Sequence, residues 1–225
     1  MIIVTGASRG LGKAIAKNLI KQGNEVFGIA RNVKDLEFEA ASCDVSIYED
    51  IKNLARHIKS KKVKIDALIN TAGIASMNLA LTTPSSTSKK IINVNLLGTI
   101  YCCQLFAPMM LRNKKGSIIN FSTIAVSLGL KGESIYVASK AGVEGFTKSF
   151  AREMADFNIN VNCIAPGPID TDLIKGVSNQ QIQKIIDQQI IKKKFNEDDI
   201  CNLVDTLLDI KASSISGQVL NVGGV

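Results

Sequence analysis

Short apolar runs alternate along the chain with longer stretches in which apolar residues recur at helical spacing. The first run, MIIVT, stops at Gly6. Leu11, Ile15, Ala16 and Leu19 then mark one face of a helix over Leu11–Ile20, which Gly23 ends. EVFGIA predicts a second strand, and a third closes at Asp44-Val45. Tyr48–Lys61 is predicted helical, with Ile51, Leu54, Ala55 and Ile58 on its apolar stripe. IDALIN is a fourth strand that runs into Thr71-Ala72-Gly73. A long helix follows over Ser88–Arg112 despite Gly98 and Pro108, then a fifth strand, GSIINFS. Ile135–Asp156 predicts another helix and INVNCIA a sixth strand. Helices near Asn179–Gln189 and Asp198–Leu208 precede the last strand, QVLNV. Strands apolar throughout, alternating with amphipathic helices, predict an α/β fold: a doubly wound parallel sheet covered by helices on both faces. The 225 residues suit a single domain spanning 1–225. In such sheets ligands bind beyond the carboxyl ends of the strands, so the residues after each strand carry the functional information.

Composition narrows the classes. Hydrophobic residues make up 46% and charged residues 21%, which suits a soluble globular protein, and no apolar run approaches a membrane span. The N-terminus, MIIVTGASRG, has no basic stretch leading into an apolar one, so no secretory signal is expected. The net charge of +7 lies in scattered runs such as Lys61-Lys62, Lys89-Lys90 and Lys192-Lys193-Lys194. Aromatic residues do not interleave with them, so a solvated surface is expected rather than a nucleic-acid face. The five cysteines form no Cys-x-x-Cys pair and are expected as reduced core thiols of a cytoplasmic protein. The single histidine, His57, falls on the solvent side of its helix. One histidine excludes a histidine metal cluster and a Ser-His-Asp triad, and no metal is expected.

Two stretches carry candidate chemistry. TGASRGLG, Thr5 to Gly12, places Gly6, Gly10 and Gly12 between the first strand and the first helix. Glycines there allow a tight turn and close approach of the backbone to a pyrophosphate, which the free N–H groups of the helix start would hold. ESIYVASKAG sets Tyr136 and Lys140 four residues apart, one above the other on a helix. Many lysine-containing helices carry such a pair, so its weight comes from the remaining motifs.

With those motifs the chain resembles the short-chain dehydrogenase/reductase family, and is most similar to its 3-oxoacyl-acyl-carrier-protein reductases. NTAG at Asn70–Gly73, NVNLLGT around Asn95, PGPIDTDL at Pro166–Leu173 and SGQVLNVGG each sit at a strand end or helix in the family's order. The resemblance implies a Rossmann-type fold and NAD(P)-dependent hydride transfer that reduces a carbonyl to an alcohol. It implies that Tyr136 is the proton donor, that Lys140 lowers the phenol pKa and holds the cofactor ribose, and that Asn95 positions a water. The family's catalytic serine, thirteen residues before the tyrosine, is replaced here by Thr123, with Ser122 beside it. Neighbouring side chains of a strand point to opposite faces, so only one of the two hydroxyls can serve.

For the cofactor, the resemblance implies contacts from Gly6, Ser8, Arg9, Gly10, Leu11 and Gly12, from Asn70, Ala72 and Gly73, and from Pro166, Gly167, Ile169 and Thr171, besides Tyr136 and Lys140. Asp44 and Val45 would line the adenine. Ala30 stands where relatives that prefer NAD place an acid, and Arg31 and Arg9 can grip a 2′-phosphate, so NADP(H) is favoured over NAD(H). Only twelve residues separate Arg31 from Asp44, so a loop is expected where relatives place a helix. The segment containing SNQQIQKIIDQQIIKKKF, with Ile182, Ile185 and Ile186 in a stripe, suits a lid over the substrate. An acyl-carrier protein is one possible partner: Lys114 matches one basic position expected near the cleft, but Phe157 occupies the other. A free small ketone or a sugar ketone is the alternative substrate. Assembly as a homodimer or homotetramer through the two long helices is expected. A rival reading is an NADP(H)-binding sensor without turnover; an epimerase would need a sugar-nucleotide domain for which the chain has no room.

Overall fold

A computed structural model describes residues 1–111, 113–169 and 178–225. Seven strands form one parallel sheet: β1 (Ile2–Thr5), β2 (Val26–Ala30), β3 (Ala40–Ser42), β4 (Ala67–Asn70), β5 (Gly116–Phe121), β6 (Ile159–Ala165) and β7 (Val219–Asn221). Their order is β3-β2-β1-β4-β5-β6-β7. The order reverses between β1 and β4, and a crevice opens at the carboxyl ends of that pair. The central strands are buried along their whole length because helices cover both faces.

On one face α1 (Gly10–Lys21) packs beside α8 (Glu197–Leu208), burying Ile15, Ala16 and Leu19 against Ile200, Val204 and Leu207. On the other lie α2 (Tyr48–Ser60), α4 (Gly98–Leu111) and α6 (Ser134–Met154), with Ile51, Ile58, Phe106, Met110 and Phe150 in their core. His57 is exposed and all five cysteines are buried and free.

Differences from the sequence pattern have local causes. β3 ends before Asp44-Val45 because the Asp44 carboxylate accepts the Ser46 amide (2.9 Å) and hydroxyl (2.7 Å), a side-chain turn that stops the strand. No helix forms between Arg31 and Ala40, as the short spacing predicts. The long helix starts after Pro84, as α3 (Ser85–Ile92), passes through a π-helical turn at Asn93–Leu97, and continues into α4. The whole rod, Ser85–Leu111, is long and apolar enough to cross a membrane by length and composition, which the run lengths in the sequence did not suggest. Its apolar residues have a different use: Cys102, Cys103, Phe106 and Met110 are buried under the sheet. Pro108 lies on the exposed side with Gln104, so the hydrogen bond it removes faces solvent. Three short elements had no periodic signal, α5 (Ala125–Leu128) and the 3₁₀ turns Ala80–Thr82 and Ile210–Ala212; α7 (Asn179–Ile186) opens with a Ser178–Gln181 capping box.

Candidate active site

The loop from β1 to α1 is shaped by backbone. Gly6 (φ +69°) and Gly10 (φ +49°) adopt left-handed conformations. A Cβ on Gly12 would collide with Gly6 O and Thr71 Oγ1, so α1 can sit this close to the loop only with glycine there. Thr71 Oγ1 donates to Thr5 O, and the Ala72 amide donates to Thr5 Oγ1 at 3.2 Å, which ties the ends of β1 and β4 together. α1 begins with no side-chain cap and no acidic residue in its first turn. Its first N–H groups and dipole are therefore left to an anion in the crevice.

A cleft of about 530 Å³ runs from this loop across the sheet ends. The glycine loop (Gly6, Ser8, Arg9, Gly10, Leu11, Gly12) and Arg31, Asp44 and Val45 line one end. Ala72, Gly73, Pro166, Gly167 and Ile169 line its middle, and Thr123, Tyr136 and Lys140 the opposite wall. Thr171 lies outside the described residues. Arg9 and Arg31, both exposed, also border a smaller hollow with Ser8, Asn32, Asp35 and Leu36. Burial alone would raise the Asp44 carboxyl, but the Ser46 hydrogen bonds and the Arg31 and Lys90 charges hold it below the usual carboxylate range.

On α6, Tyr136 and Lys140 are both buried, 6% and 5% exposed. The Thr123 hydroxyl, beside the Tyr136 phenol on the cleft wall, accepts the Ala125 amide at 3.2 Å. Ser122, which with Thr123 lines the cleft just beyond β5, instead donates its Oγ to Glu144 Oε1 at 2.6 Å. Lys140 Nζ donates to Phe121 O at 2.8 Å. Burial lowers the Lys140 pKa to about 8. The proximity of Lys140 had suggested a lowered Tyr136 phenol, but burial first, then the Glu133 charge, push it well above its ordinary value, and the Thr123 hydroxyl opposes only part of this. Lys140 is itself desolvated and turned to a backbone carbonyl, so it does not offset the burial of its neighbour.

Asn95 sits in the π turn, fully buried behind the cleft wall. Its Nδ2 donates to Ile74 O (2.9 Å) and Ser139 Oγ (3.0 Å), and its Oδ1 accepts the Ile74 amide (2.8 Å). A Cβ on Gly73 would lie 3.5 Å from both Asn95 Oδ1 and Lys140 Nζ, so Gly73 stands beside a space that these two groups share. Asn70, grouped with the cofactor residues from its motif, is placed elsewhere. Its side chain is 2% exposed and donates to Asn120 Oδ1 (2.9 Å) and Cys103 Sγ (3.4 Å), while Asn120 continues to Thr147 Oγ1 (2.9 Å). That chain staples β4 and β5 to α4 and α6, drawing the Asn70 amide under the sheet and away from the cleft.

Sequence reasoning missed the apolar mouth of the cleft, formed by Ile74, Met77, Ile124 and Leu130, and missed Glu133 beside it. These residues lie in loops or at a helix start, where no periodicity marks them. Ile182 and Ile185 of α7 join the mouth, in keeping with the isoleucine stripe, and Ile186 is buried. The basic pair expected near the cleft is not found there. Lys114 and Phe157 precede β5 and β6, so they lie at the amino ends of strands whose carboxyl ends form the site, roughly 20 Å away along β5. Phe157 packs against the core.

A reversed parallel sheet with a glycine loop, an uncapped helix start and a buried Tyr-Lys pair defines a nucleotide-binding oxidoreductase of the α/β class. The chain belongs to the short chain dehydrogenase family, whose model matches residues 1–182. It is 36% identical to the 3-oxoacyl-acyl-carrier-protein reductase FabG of Staphylococcus epidermidis, over 99% of this chain and 96% of that protein. Among solved structures it is similar to 4-hydroxyisoleucine dehydrogenase complexed with NADH (TM-score 0.91, 29% identity, 99% of this chain and 97% of that one). It is also similar to ElxO with NADP bound (TM-score 0.90, 27% identity, 98% and 96%).

Proposed function

We propose that the protein reduces a carbonyl to an alcohol with NADP(H), with Tyr136 as general acid. The observation that carries this reading is the convergence of Thr123, Tyr136 and Lys140 on one wall of the cleft whose other end is the uncapped start of α1. The residues present fit a dinucleotide: the close packing at Gly12 leaves the loop backbone bare, and the first turn of α1 has no competing acid. The glycine loop would hold the pyrophosphate, Asp44 and Val45 the adenosine, and Ala72, Gly73, Gly167 and Ile169 the nicotinamide half. When bound, the reduced nicotinamide supplies the hydride. Thr123 and Tyr136 present hydroxyls to the substrate oxygen, on which negative charge develops. The raised phenol pKa keeps Tyr136 protonated until that charge appears, and the proton then passes from the phenol Oη to the alkoxide oxygen. Lys140 leaves Phe121 O to stabilise the phenolate and the ribose, and Asn95 and Gly73 frame the gap through which a water can return the proton.

NADP(H) is favoured because β2 ends in Ala30 with no acid to grip a ribose hydroxyl, while Arg9 and Arg31 border the adjoining hollow. The apolar mouth and the distant Lys114 support a free small ketone or an uncharged acyl derivative over a carrier-bound substrate. Five buried free thiols suit a reducing cytoplasm, and assembly through the long helices α4 and α6 accompanies this reading.

The test is oxidation of NADPH and NADH, followed at the nicotinamide absorbance. Acetoacetyl-carrier protein, acetoacetyl-coenzyme A and a panel of free and sugar ketones are offered to wild type and Tyr136→Phe. Turnover that is lost in the variant is expected; cofactor binding with no turnover of any carbonyl favours the sensor reading instead.

A further inference from the structure

One charged side chain at the substrate end enters the mechanism above only through its charge on the Tyr136 phenol and has no assigned contact with the substrate. Glu133 is the residue before α6, one helical turn ahead of Tyr136, and it lines the cleft beside Leu130. An acceptor at a helix start commonly caps the free N–H groups behind it, yet the Glu133 carboxylate makes no cap bond. Among the described residues it has neither a hydrogen bond nor an ion pair. It is half-buried and shares the cleft lining with Leu130 and the isoleucines of α7, so among the described residues its charge is desolvated without a compensating partner. Glu133 and Tyr136 both line this cleft; burial raises the Glu133 pKa, and its charge raises that of the Tyr136 phenol.

We infer that Glu133 is a specificity-determining residue whose carboxylate accepts a hydrogen bond from a hydroxyl or ammonium group that the substrate carries close to its carbonyl. The inference rests on the carbonyl-reducing role of the cleft. Residues three apart on a helix have Cβ atoms about 5–6 Å apart. With the carbonyl oxygen held by Thr123 and Tyr136, a donor two or three bonds from the carbonyl carbon falls within reach of Glu133. The same carboxylate repels an anionic group at that position. The cleft is thereby matched to hydroxy or amino ketones and set against keto acids.

The experiment uses the full chain with saturating NADPH and three ketones: 4-hydroxy-2-butanone, its methyl isostere 2-pentanone, and the anion 4-oxopentanoate. Wild type is expected to favour the hydroxy ketone over 2-pentanone by about tenfold in kcat/KM, the effect of one hydrogen bond to a charged acceptor. In Glu133→Ala that ratio is expected to collapse toward one, and in Glu133→Gln the rejection of 4-oxopentanoate is expected to weaken. A ratio that is the same in wild type and both variants overturns the inference. If wild type turns over none of the ketones, the reductase reading fails separately, and binding of the same three compounds to the NADPH-loaded protein, measured calorimetrically, decides Glu133: a preference for the hydroxy ketone lost in Glu133→Ala supports it, and equal affinities overturn it.

Discussion

At the glycine-loop end of the cleft the decisive contacts are made by backbone. Gly6, Gly10 and Gly12 matter for what they lack, and the helix start offers amide protons rather than side chains. At the α6 end the reverse holds: the wall is lined by the side chains of Thr123, Tyr136, Lys140 and Glu133, and burial shifts the proton affinities of the last three. The first kind of site tolerates no added atom, and the second tolerates no removed one. Each half should therefore fail in its own way when altered.

The largest effect is expected at the α6 wall. Tyr136→Phe removes one oxygen and should lower kcat by about 10²–10⁴-fold, the usual worth of a positioned general acid, while NADPH binding, followed by fluorescence titration, survives. Loss of binding along with rate would erase the contrast between the walls. Arg31→Ala should raise the Kd for NADPH by about 10–100-fold, one charge-assisted phosphate contact, and leave NADH nearly unaffected; equal losses for both would show that Arg31 does not read the 2′-phosphate. Gly12→Ala adds one carbon where Gly6 O and Thr71 Oγ1 already stand, and should destabilise by about 1–3 kcal/mol and weaken nucleotide binding, read from Tm with and without NADPH.

Smaller effects sharpen the α6 side. Thr123→Val should cost about tenfold in kcat/KM through loss of a hydrogen-bonding hydroxyl, whereas Ser122→Ala should leave the rate near wild type and cost about 1 kcal/mol in denaturant unfolding by leaving Glu144 unpartnered. The smallest effect per step is in pH dependence. The Lys140 pKa is lowered on folding, so between about 8 and the ordinary lysine value of 10.5 the unfolded chain binds more protons than the native one. Stability from this group rises with pH across that window, by at most about 1.4 kcal/mol per pH unit. Relative to Lys140→Met, wild type should gain stability from pH 8 to 10.5; an unchanged difference would mean that Lys140 is more solvated than its burial implies.

The glycine-loop wall was the more legible of the two. Its chemistry lies in spacing along a continuous stretch, Thr5–Gly12, and a backbone site leaves that kind of trace. The α6 wall is assembled from three segments whose meeting no periodicity announces. Tyr136, Lys140 and the Thr123 alternative were visible as motif positions, but Glu133 and Leu130 were not, because a helix start and a loop carry no repeat. The direction of the Tyr136 shift was also hidden: the sequence shows that a lysine is four residues away, and only packing shows that its ammonium is turned to Phe121 O. Asn70, at the end of β4, and Asn95, inside the long helical rod, are both buried amides. The sheet assigns one to a staple beneath β4 and β5 and the other to the gap beside Gly73.

The π turn at Asn93–Leu97 can be restated as chain arithmetic. A π turn is an α-helix with one residue more than its length requires. The apolar positions of α4 are therefore out of step with those of α3, and the burial of Phe106 and Met110 cannot be extrapolated backward through Asn95. A chain shorter by one residue in this turn would wind as a uniform rod, with Cys102, Cys103 and Phe106 still against the sheet. What it would lose is the wide turn that lets the Asn95 amide bracket both backbone groups of Ile74. The extra residue serves the site, and a single deletion there would also turn α3 by about 100° against α4 and displace the buried Ile91.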